Sequence, residues 1–211
     1  MIYKLANTMN NTILYVAAIT FIISISADFS FAQTQNIDKQ EQKARRELLM
    51  SLQNEKQINV IIYFSQANIH GKTEADFVYL EDLNSLYDWT NLWEFEYKPN
   101  LIHDFMVAFT SQMLYNGYKV KFRNLIETKY QIRIVLEFIS LEGNTKMQVF
   151  IEDTDQRSVL LEFNIFGQGD FWGSKIDMMG DGFKKAGKDL AEHMSYIFKK
   201  GKVKTFNEMP Y

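Results

Sequence analysis

Apolar residues recur at helical spacing in two long segments of the chain. The first segment runs from Leu101 to Asn116, and Gly117 follows it where a left-handed capping residue is expected. The second runs from about Gly180 to Lys199 and carries mainly lysines on its opposite face. Both patterns predict amphipathic helices. Their apolar stripes are Leu101, Phe105, Ala108, Phe109 and Met113 in the first helix, and Phe183, Gly187, Leu190, Met194 and Ile197 in the second.

A two-residue period marks the strands. Between Gln131 and Ile139, apolar residues alternate with polar ones, which predicts a strand with one buried face. Shorter apolar runs at residues 147–151 and 159–166 follow turn-forming segments, so these three strands are predicted to form an antiparallel meander. Residues 118–122 can form another strand, and the β-branched run 58–64 predicts a buried one. The side chains assigned to the buried face of the alternating strand are Ile132, Ile134, Leu136 and Phe138.

The remaining segments have weaker patterns. Good helix formers predict a helix from about Asp38 to Gln53. Residues 77–97 are less regular, and Pro99 is expected to interrupt any helix there. The order of these elements predicts an α+β fold of two layers, a mostly antiparallel sheet with amphipathic helices packed on one face. The apolar side chains that could share a short helical face in the irregular segment are Leu83, Leu86, Trp89 and Trp93.

The amino-terminal segment has the features of a cleavable export signal. Lys4 supplies a positive charge, and the uncharged apolar run from Ile13 to Ser26 has the length of a signal core. A membrane-spanning helix needs about 20 apolar residues, whereas this run is shorter and gives way to Asp28. The small residues of the Ser30-Phe31-Ala32 sequence predict cleavage after Ala32, so no transmembrane segment should remain in the mature protein.

The predicted organisation is therefore a signal peptide, residues 1–32, followed by one α+β domain, residues 33–211. Cleavage after Ser26 is a weaker alternative, and a retained amino-terminal anchor is another. A cleaved signal places the domain in the periplasm or the medium.

Charge and cysteine content exclude several classes of function. The 23 basic and 26 acidic residues give a net charge of -3, which lacks the positive excess that nucleic-acid binding usually needs. The chain has no cysteine. It therefore forms no disulfide, no thiolate metal site, no cysteine nucleophile and no lipidated cysteine after export.

No catalytic or metal-binding spacing is found in the sequence. His70, His103 and His193 stand far apart and outside any HxH or HExxH pattern, so no metal is predicted. The acidic pairs Glu152 with Asp153 and Asp153 with Asp155 fall at a strand end and a turn, where solvated carboxylates are ordinary. No catalytic residue and no cofactor is predicted. The serines outside any GxSxG or SxxK context are Ser65, Ser111, Ser140, Ser158 and Ser174.

A glycine-containing loop precedes the last predicted helix. Gly167 and Gly169 do not follow the first parallel strand of a nucleotide-binding fold, and no GK[ST] sequence begins the helix. The preferred interpretation is that the glycines permit positive φ angles and let Phe171 and Trp172 fold back over the core.

Aromatic and acidic residues are concentrated between Tyr87 and Tyr97. Flat rings beside carboxylates and amides can stack on sugars, and they are also favoured anchors at protein interfaces. Alternatively, the rings cap one edge of the sheet. The predicted binding residues are Tyr87, Trp89, Trp93 and Tyr97.

A family resemblance rests on three features of the second half of the chain. They are the turn Asp153-Thr154-Asp155, the run from Phe166 to Gly169, and the closing segment 182–191. From Leu101 to Lys199 the chain resembles small exported bacterial envelope proteins of α+β fold and poorly defined function, which are often lipoproteins. The resemblance implies an accessory role in the envelope and supplies no catalytic residue. The chain departs from this group because it lacks the lipid-acceptor cysteine.

These observations favour a noncatalytic exported domain that binds another envelope component, a protein or a glycan, or assists its assembly. The alternative hypothesis is a glycan-binding module, or a divergent glycan-active enzyme, that uses Trp89 and Trp93 as its platform. A third hypothesis is a structural domain whose partner contacts lie on the lysine-rich face of the last helix. The exposure of the two tryptophan rings separates the first two hypotheses, because a sugar platform needs both rings in one groove with carboxylates.

Overall fold

The computed structural model describes three stretches of the chain, residues 39–124, 126–170 and 172–202. The predicted signal peptide, residues 1–32, lies outside the described residues. Its cleavage remains a prediction.

The chain divides into two compact units, residues 1–45 and residues 46–211. In the first unit, residues 39–45 are described, and they are helical and exposed. The second unit contains the sheet and the core.

The second unit begins with helical residues 46–51 (α1) and a 3₁₀ turn, Leu52–Asn54. Four more helices and a π turn, Trp93–Tyr97, follow along the chain. The helices are α2 (Glu74–Asn84), α3 (Trp89–Leu92), α4 (Lys98–Tyr115) and α5 (Lys175–Lys200). The strands are β1 (Gln57–Tyr63), β2 (Asn68–Ile69), β3 (Lys72–Thr73), β4 (Lys121–Arg123), β5 (Tyr130–Ile139), β6 (Thr145–Asp153) and β7 (Ser158–Gly167).

All seven strands of the described residues belong to one mixed sheet. Its longest pairings are antiparallel, β5 with β6 and β6 with β7, which confirms the predicted meander. The parallel pairings are shorter. They place β1 between β4 and β5, and β2 beside the far end of β5. The predicted α+β class with a mostly antiparallel sheet is confirmed.

The core lies between one face of the sheet and the helices. On β5 the residues Tyr130, Ile132, Ile134 and Leu136 are buried, and the residues between them are partly exposed. Helices α4 and α5 pack against each other, and α5 also packs on β7 and β6. The two stripes predicted from helical spacing therefore meet over the sheet.

The prediction for Phe138 was wrong. Its register shifts at a bulge between Leu136 and Phe138, so Phe138 is 39% exposed and Ile139 takes the buried position. A bulge inserts one residue and reverses the sides of the residues after it, which a strict alternation pattern does not reveal.

Helix α5 begins earlier than the predicted residue 180. Ser174 caps its first turn and forms a reciprocal capping box with Asp177. Gly180 and Gly182 weakened the helical pattern in the sequence, although both lie inside the helix. A Cβ on Gly182 would stand 2.0 Å from the carbonyl oxygen of Gly143, so glycine is needed there for close packing on the β5–β6 turn.

The glycine loop before α5 differs from its predicted role. A Cβ on Gly167 would lie 1.8 Å from the carbonyl oxygen of Gly182, and one on Gly169 would lie 1.7 Å from that of Glu142. These two glycines therefore serve close backbone packing rather than positive φ angles, whereas Gly173 of the same loop has the predicted positive φ, 121°. Trp172 is 86% exposed and does not fold over the core, and Phe171 lies outside the described residues.

Strand β7 forms one edge of the sheet among the described residues. Near its end, the backbone N–H of Phe166 donates a hydrogen bond of 2.9 Å to Oδ2 of Asp189 on α5. A side chain of the last helix thus accepts a hydrogen bond from one backbone N–H of the edge strand.

Candidate binding site

The predicted aromatic segment is built on the start of α2. Thr73 caps this helix by accepting a hydrogen bond from the backbone N–H of Asp76, and Glu74 and Asp76 lie in its first turn. Negative charge is favourable at this end of a helix. The capped first turn holds Glu74 in place beneath the aromatic residues.

Trp93 lies in the core, with 1% of its surface exposed. Its ring makes edge contacts with Phe64 and Phe77 at centroid distances of 6.1 and 5.5 Å. Its indole N–H donates a hydrogen bond of 2.8 Å to Glu74, which also pairs with Lys98 at 2.8 Å. Trp93 therefore supports the segment from beneath.

Lys98 completes this support, and its side chain and that of Glu74 are both partly buried. Burial alone would lower the pKa of its ammonium group, but hydrogen bonds and charge attraction from Glu74 and Glu94 outweigh burial and raise it. The ammonium lies 5.3 Å from the centre of the Phe64 ring. The support beneath the aromatic segment therefore combines a charged pair with aromatic packing. The Lys98 ammonium group remains ionised at neutral pH.

The π turn aligns Trp89 with Tyr97. In a regular α-helix, residues eight apart are offset by roughly 80°, since each residue turns about 100°. The π turn Trp93–Tyr97 inserts one extra residue, which leaves the pair roughly 20° apart. Their rings are 5.1 Å apart and tilted by 56°. The same widened turn leads into Pro99 in the first turn of α4 without ending the helical path, contrary to the expected interruption.

Trp89 and Tyr97 form one wall of an open depression of about 530 Å³. Ile176 also lines it, and the first turn of α5 forms the opposite wall. Both rings are half-buried, so each retains accessible surface. The polar groups around the depression come from Glu96, Asn100, Ser174, Lys175 and Asp177.

Three of these polar residues already have partners within the protein. The hydroxyl and backbone N–H of Ser174 donate to Oδ2 of Asp177, and both bonds lower the pKa of the Asp177 carboxyl group. Lys175 pairs with Glu81 of α2 at 2.6 Å. Within the described residues, the side chains of Glu96 and Asn100 have no hydrogen-bond partner. These two groups are available to a ligand.

Helix α2, its link to α3 and the π turn expose large apolar side chains. Of the fourteen such side chains exposed in the described part of the chain, five fall within residues 79–95. Leu86, in the link between α2 and α3, is fully exposed, and Tyr87 is 71% exposed. We call these five residues the α2–α3 surface, and they are Tyr79, Leu83, Leu86, Tyr87 and Phe95.

The structure separates the four predicted binding residues. Trp89 and Tyr97 meet at the depression, Tyr87 belongs to the α2–α3 surface, and Trp93 is in the core. The predicted shared face of Leu83, Leu86, Trp89 and Trp93 is wrong, because Leu83 and Leu86 face solvent. Binding by any of the four remains a prediction.

The sequence did not identify the α5 wall of the depression. The signal was present as Ser174 followed three residues later by Asp177, the spacing of a capping box. The position of Asn100 at the depression could not be predicted from the sequence. It depends on the π turn, which changes the direction in which the following residues point.

The other candidate groups lie apart from this site. Asp153 is buried and accepts the backbone N–H of Gln156, and Glu152 pairs with Arg133 at 2.7 Å. These carboxylates stabilise the β6–β7 turn and the sheet. Among residues 39–124, 126–170 and 172–202, no cluster of three metal-ligating side chains is present.

His193 is buried in α5 against Phe163, whereas His103 is exposed on α4. The described helices include none that is long and apolar enough to cross a membrane.

Comparison with known proteins shows only remote likeness. No family model matches the chain, and no curated protein matches it. Protein XCC0632 from Xanthomonas campestris, of family DUF330, shares 9% identity at a TM-score of 0.30, over 45% of this chain and 61% of that one. A PelC dodecamer from Paraburkholderia phytofirmans shares 11% identity at a TM-score of 0.32, over 64% of this chain and 90% of that one. At these values neither likeness carries an argument about function.

Proposed function

We propose that the chain is an exported, noncatalytic domain that binds a protein component of the cell envelope through the α2–α3 surface. The mature domain would act in the periplasm or the medium after removal of its signal peptide. The observation that carries the proposal is the concentration of exposed apolar side chains in residues 79–95.

The composition of this surface favours a protein partner. Monomeric proteins rarely expose contiguous large apolar areas unless those areas bind something, and aromatic side chains are common anchors at interfaces. Tyr79 and Leu83 stand one helical turn apart on α2, so both point to the same side of the helix. Leu86 and Tyr87 follow in the link to α3.

The surface also has a rigid base. The backbone N–H of Trp89 donates to Asp82 of α2 at 2.7 Å, and Asp88 caps α3 by accepting the N–H of Asn91 at 3.0 Å. Beneath them, Trp93 ties α2 to the helical path through Glu74. A surface that is already ordered loses little conformational entropy on binding, which favours affinity.

The glycan hypothesis changes in light of the structure. A platform of Trp89 and Trp93 would need both rings at the surface, and Trp93 is 1% exposed. In this segment, Trp89 and Tyr97 are in ring contact and both keep accessible surface.

Photo-crosslinking in native cells tests the protein-binding proposal. A photoreactive amino acid replaces Tyr87, and the crosslinked product is identified by mass spectrometry. We expect one discrete protein adduct, which Leu83→Glu with Leu86→Glu abolishes. Both leucines are more than 60% exposed, so the double change should leave the thermal unfolding temperature almost unaltered.

The matched control is Leu114, which is 68% exposed on α4. Leu114→Glu should leave the adduct from position 87 intact, and a photoreactive residue at 114 should not give it. The proposal is overturned if position 87 yields no discrete adduct, or if both positions yield the same set of proteins.

A further inference from the structure

We propose that the depression between Trp89, Tyr97 and the first turn of α5 binds a pyranose sugar that carries no negative charge. This inference is independent of the protein-binding function, because it concerns different side chains. It would make the domain a binder of envelope glycan as well as of protein.

The aromatic wall offers two partly accessible rings on which a sugar can stack. A pyranose ring presents a face of C–H groups, which packs on the flat face of an aromatic side chain. Phe77 makes an edge contact with Trp89 at 6.0 Å, so the indole is held from the core side while part of its surface stays accessible. The 56° tilt between Trp89 and Tyr97 produces a wedge rather than a flat surface.

The size of the depression suits a small oligosaccharide. Its volume of about 530 Å³ lies within the usual range of ligand pockets, roughly 300–1,000 Å³. It is open to solvent, so a chain of sugars can continue beyond it.

The polar groups around the wedge match sugar hydroxyls. Each hydroxyl both donates and accepts, and the Asn100 amide can do the same in return. The Glu96 carboxylate accepts, and within the described residues it has no other partner. Asp177 uses Oδ2 for Ser174, which leaves Oδ1 as a further acceptor. The depression thus combines these acceptors with the apolar surface of Trp89, Tyr97 and Ile176, a combination that is usual in ligand sites.

The charges select against acidic sugars. Glu96 and Asp177 both contribute negative charge, and the low pKa of Asp177 keeps it ionised under mildly acidic conditions. Lys175 is the one cation among the lining residues, and Glu81 already neutralises it. A uronate or phosphate group would be repelled here, whereas an uncharged sugar would not.

Intrinsic fluorescence gives a direct test. In a Trp172→Phe variant, the remaining tryptophans are the buried Trp93 and the half-buried Trp89. This variant is titrated with three probes: a neutral glucose oligosaccharide, an N-acetylglucosamine oligosaccharide and an acidic galacturonate oligosaccharide. We expect saturable changes with one or both uncharged probes, and binding of the acidic probe at least about tenfold weaker.

Substitutions then assign the site. Trp89→Ala should weaken binding of the uncharged probe about tenfold or more, as measured by calorimetry, because the stacking surface is lost. Tyr87→Ala, which removes an exposed ring outside the depression, should leave sugar binding unchanged. Glu96→Gln should reduce the discrimination against the acidic probe. Thermal unfolding of each variant confirms that it is folded.

The inference is overturned if the folded protein binds none of the three probes saturably, if the acidic probe binds best, or if Trp89→Ala binds the uncharged probe as tightly as the parent. These results would leave the protein-binding proposal standing, since crosslinking from position 87 does not depend on sugar. Loss of the crosslinked adduct with retained sugar binding would reject only the protein-binding function.

Discussion

At the scale of single residues, the two tryptophans of the aromatic segment have opposite roles. Trp93 fills the core and donates its indole N–H to Glu74, whereas Trp89 keeps part of its ring accessible. The two residues are four positions apart and chemically identical. Their roles differ because their rings have different neighbours. Trp93 packs between Phe64 and Phe77, whereas Trp89 contacts Phe77 on one side and Tyr97 at the depression.

Replacing Trp93 tests this assignment. Trp93→Ala should lower the free energy of unfolding by about 3–5 kcal/mol, because it leaves a large cavity and removes one of the two partners of the Glu74 carboxylate. Trp172→Ala, on an 86% exposed side chain, should change it by about 0.5 kcal/mol or less. Urea unfolding measures both. Equal effects of the two substitutions would contradict the position assigned to Trp93.

A pair of helical glycines offers a second test at this scale. A Cβ on Gly187 would lie 2.5 Å from the backbone oxygen of Phe105 in α4, so Gly187→Ala should force the helices apart and cost about 1–3 kcal/mol. A Cβ on Gly180 would meet only the carboxylate of Asp104, at 3.1 Å, which can rotate away. Gly180→Ala should therefore be neutral or slightly stabilising, since alanine favours helices. Thermal unfolding of both variants decides whether close packing or helix propensity governs each position.

At the scale of elements, regular periods were predictable and insertions were not. The stripe of α4, its Gly117 cap and the meander followed directly from spacing. The bulge before Phe138 and the π turn each add one residue to a regular element. Such insertions depend on tertiary packing, so the apolar periodicity of the sequence does not reveal where they occur. The candidate site lies at one of these insertions, which explains why only its aromatic half was identified from the sequence.

The β2–β3 hairpin contains a group that should respond to pH. His70 sits in the turn with a positive φ of 54°, and burial, followed by the charge of Lys175, lowers its pKa below 6.5. Glu81 acts in the opposite direction and Lys72 in the same one. The folded state therefore resists protonation of this imidazole.

Proton binding by His70 determines how the folding stability changes with pH. Below about pH 6.5 the unfolded chain binds more protons at His70 than the folded one, so stability falls as the pH falls through this window and is retained above it. His70→Asn, which tolerates the same backbone conformation, should flatten the dependence of the unfolding free energy between about pH 5 and 7. His103→Asn, on an exposed helix position, serves as the control. An unchanged slope in the His70 variant would show that the imidazole does not contribute.

At the scale of the whole molecule, export is the prediction that the described residues leave untested. Protein recovered from the native cells should have an intact mass equal to residues 33–211, because signal peptidase is expected to cut after Ala32. Cleavage after Ser26 would give a mass that includes six more residues, Ala27 to Ala32. Recovery of the uncut chain in a membrane fraction would contradict export by a cleaved signal and favour the retained anchor.

The hydrogen bond from Phe166 to Asp189 affects how the protein behaves at high concentration, where chains can aggregate through their sheet edges. A long edge strand is a template on which other chains can polymerise into continuous sheets, so proteins guard such edges. Here the guard is a carboxylate of the molecule's own last helix, which occupies a backbone donor near one end of β7. An invading strand would have to displace this carboxylate before it could add to the sheet in register there. The Asp189 carboxylate thus opposes fibre growth at that end of the β7 edge.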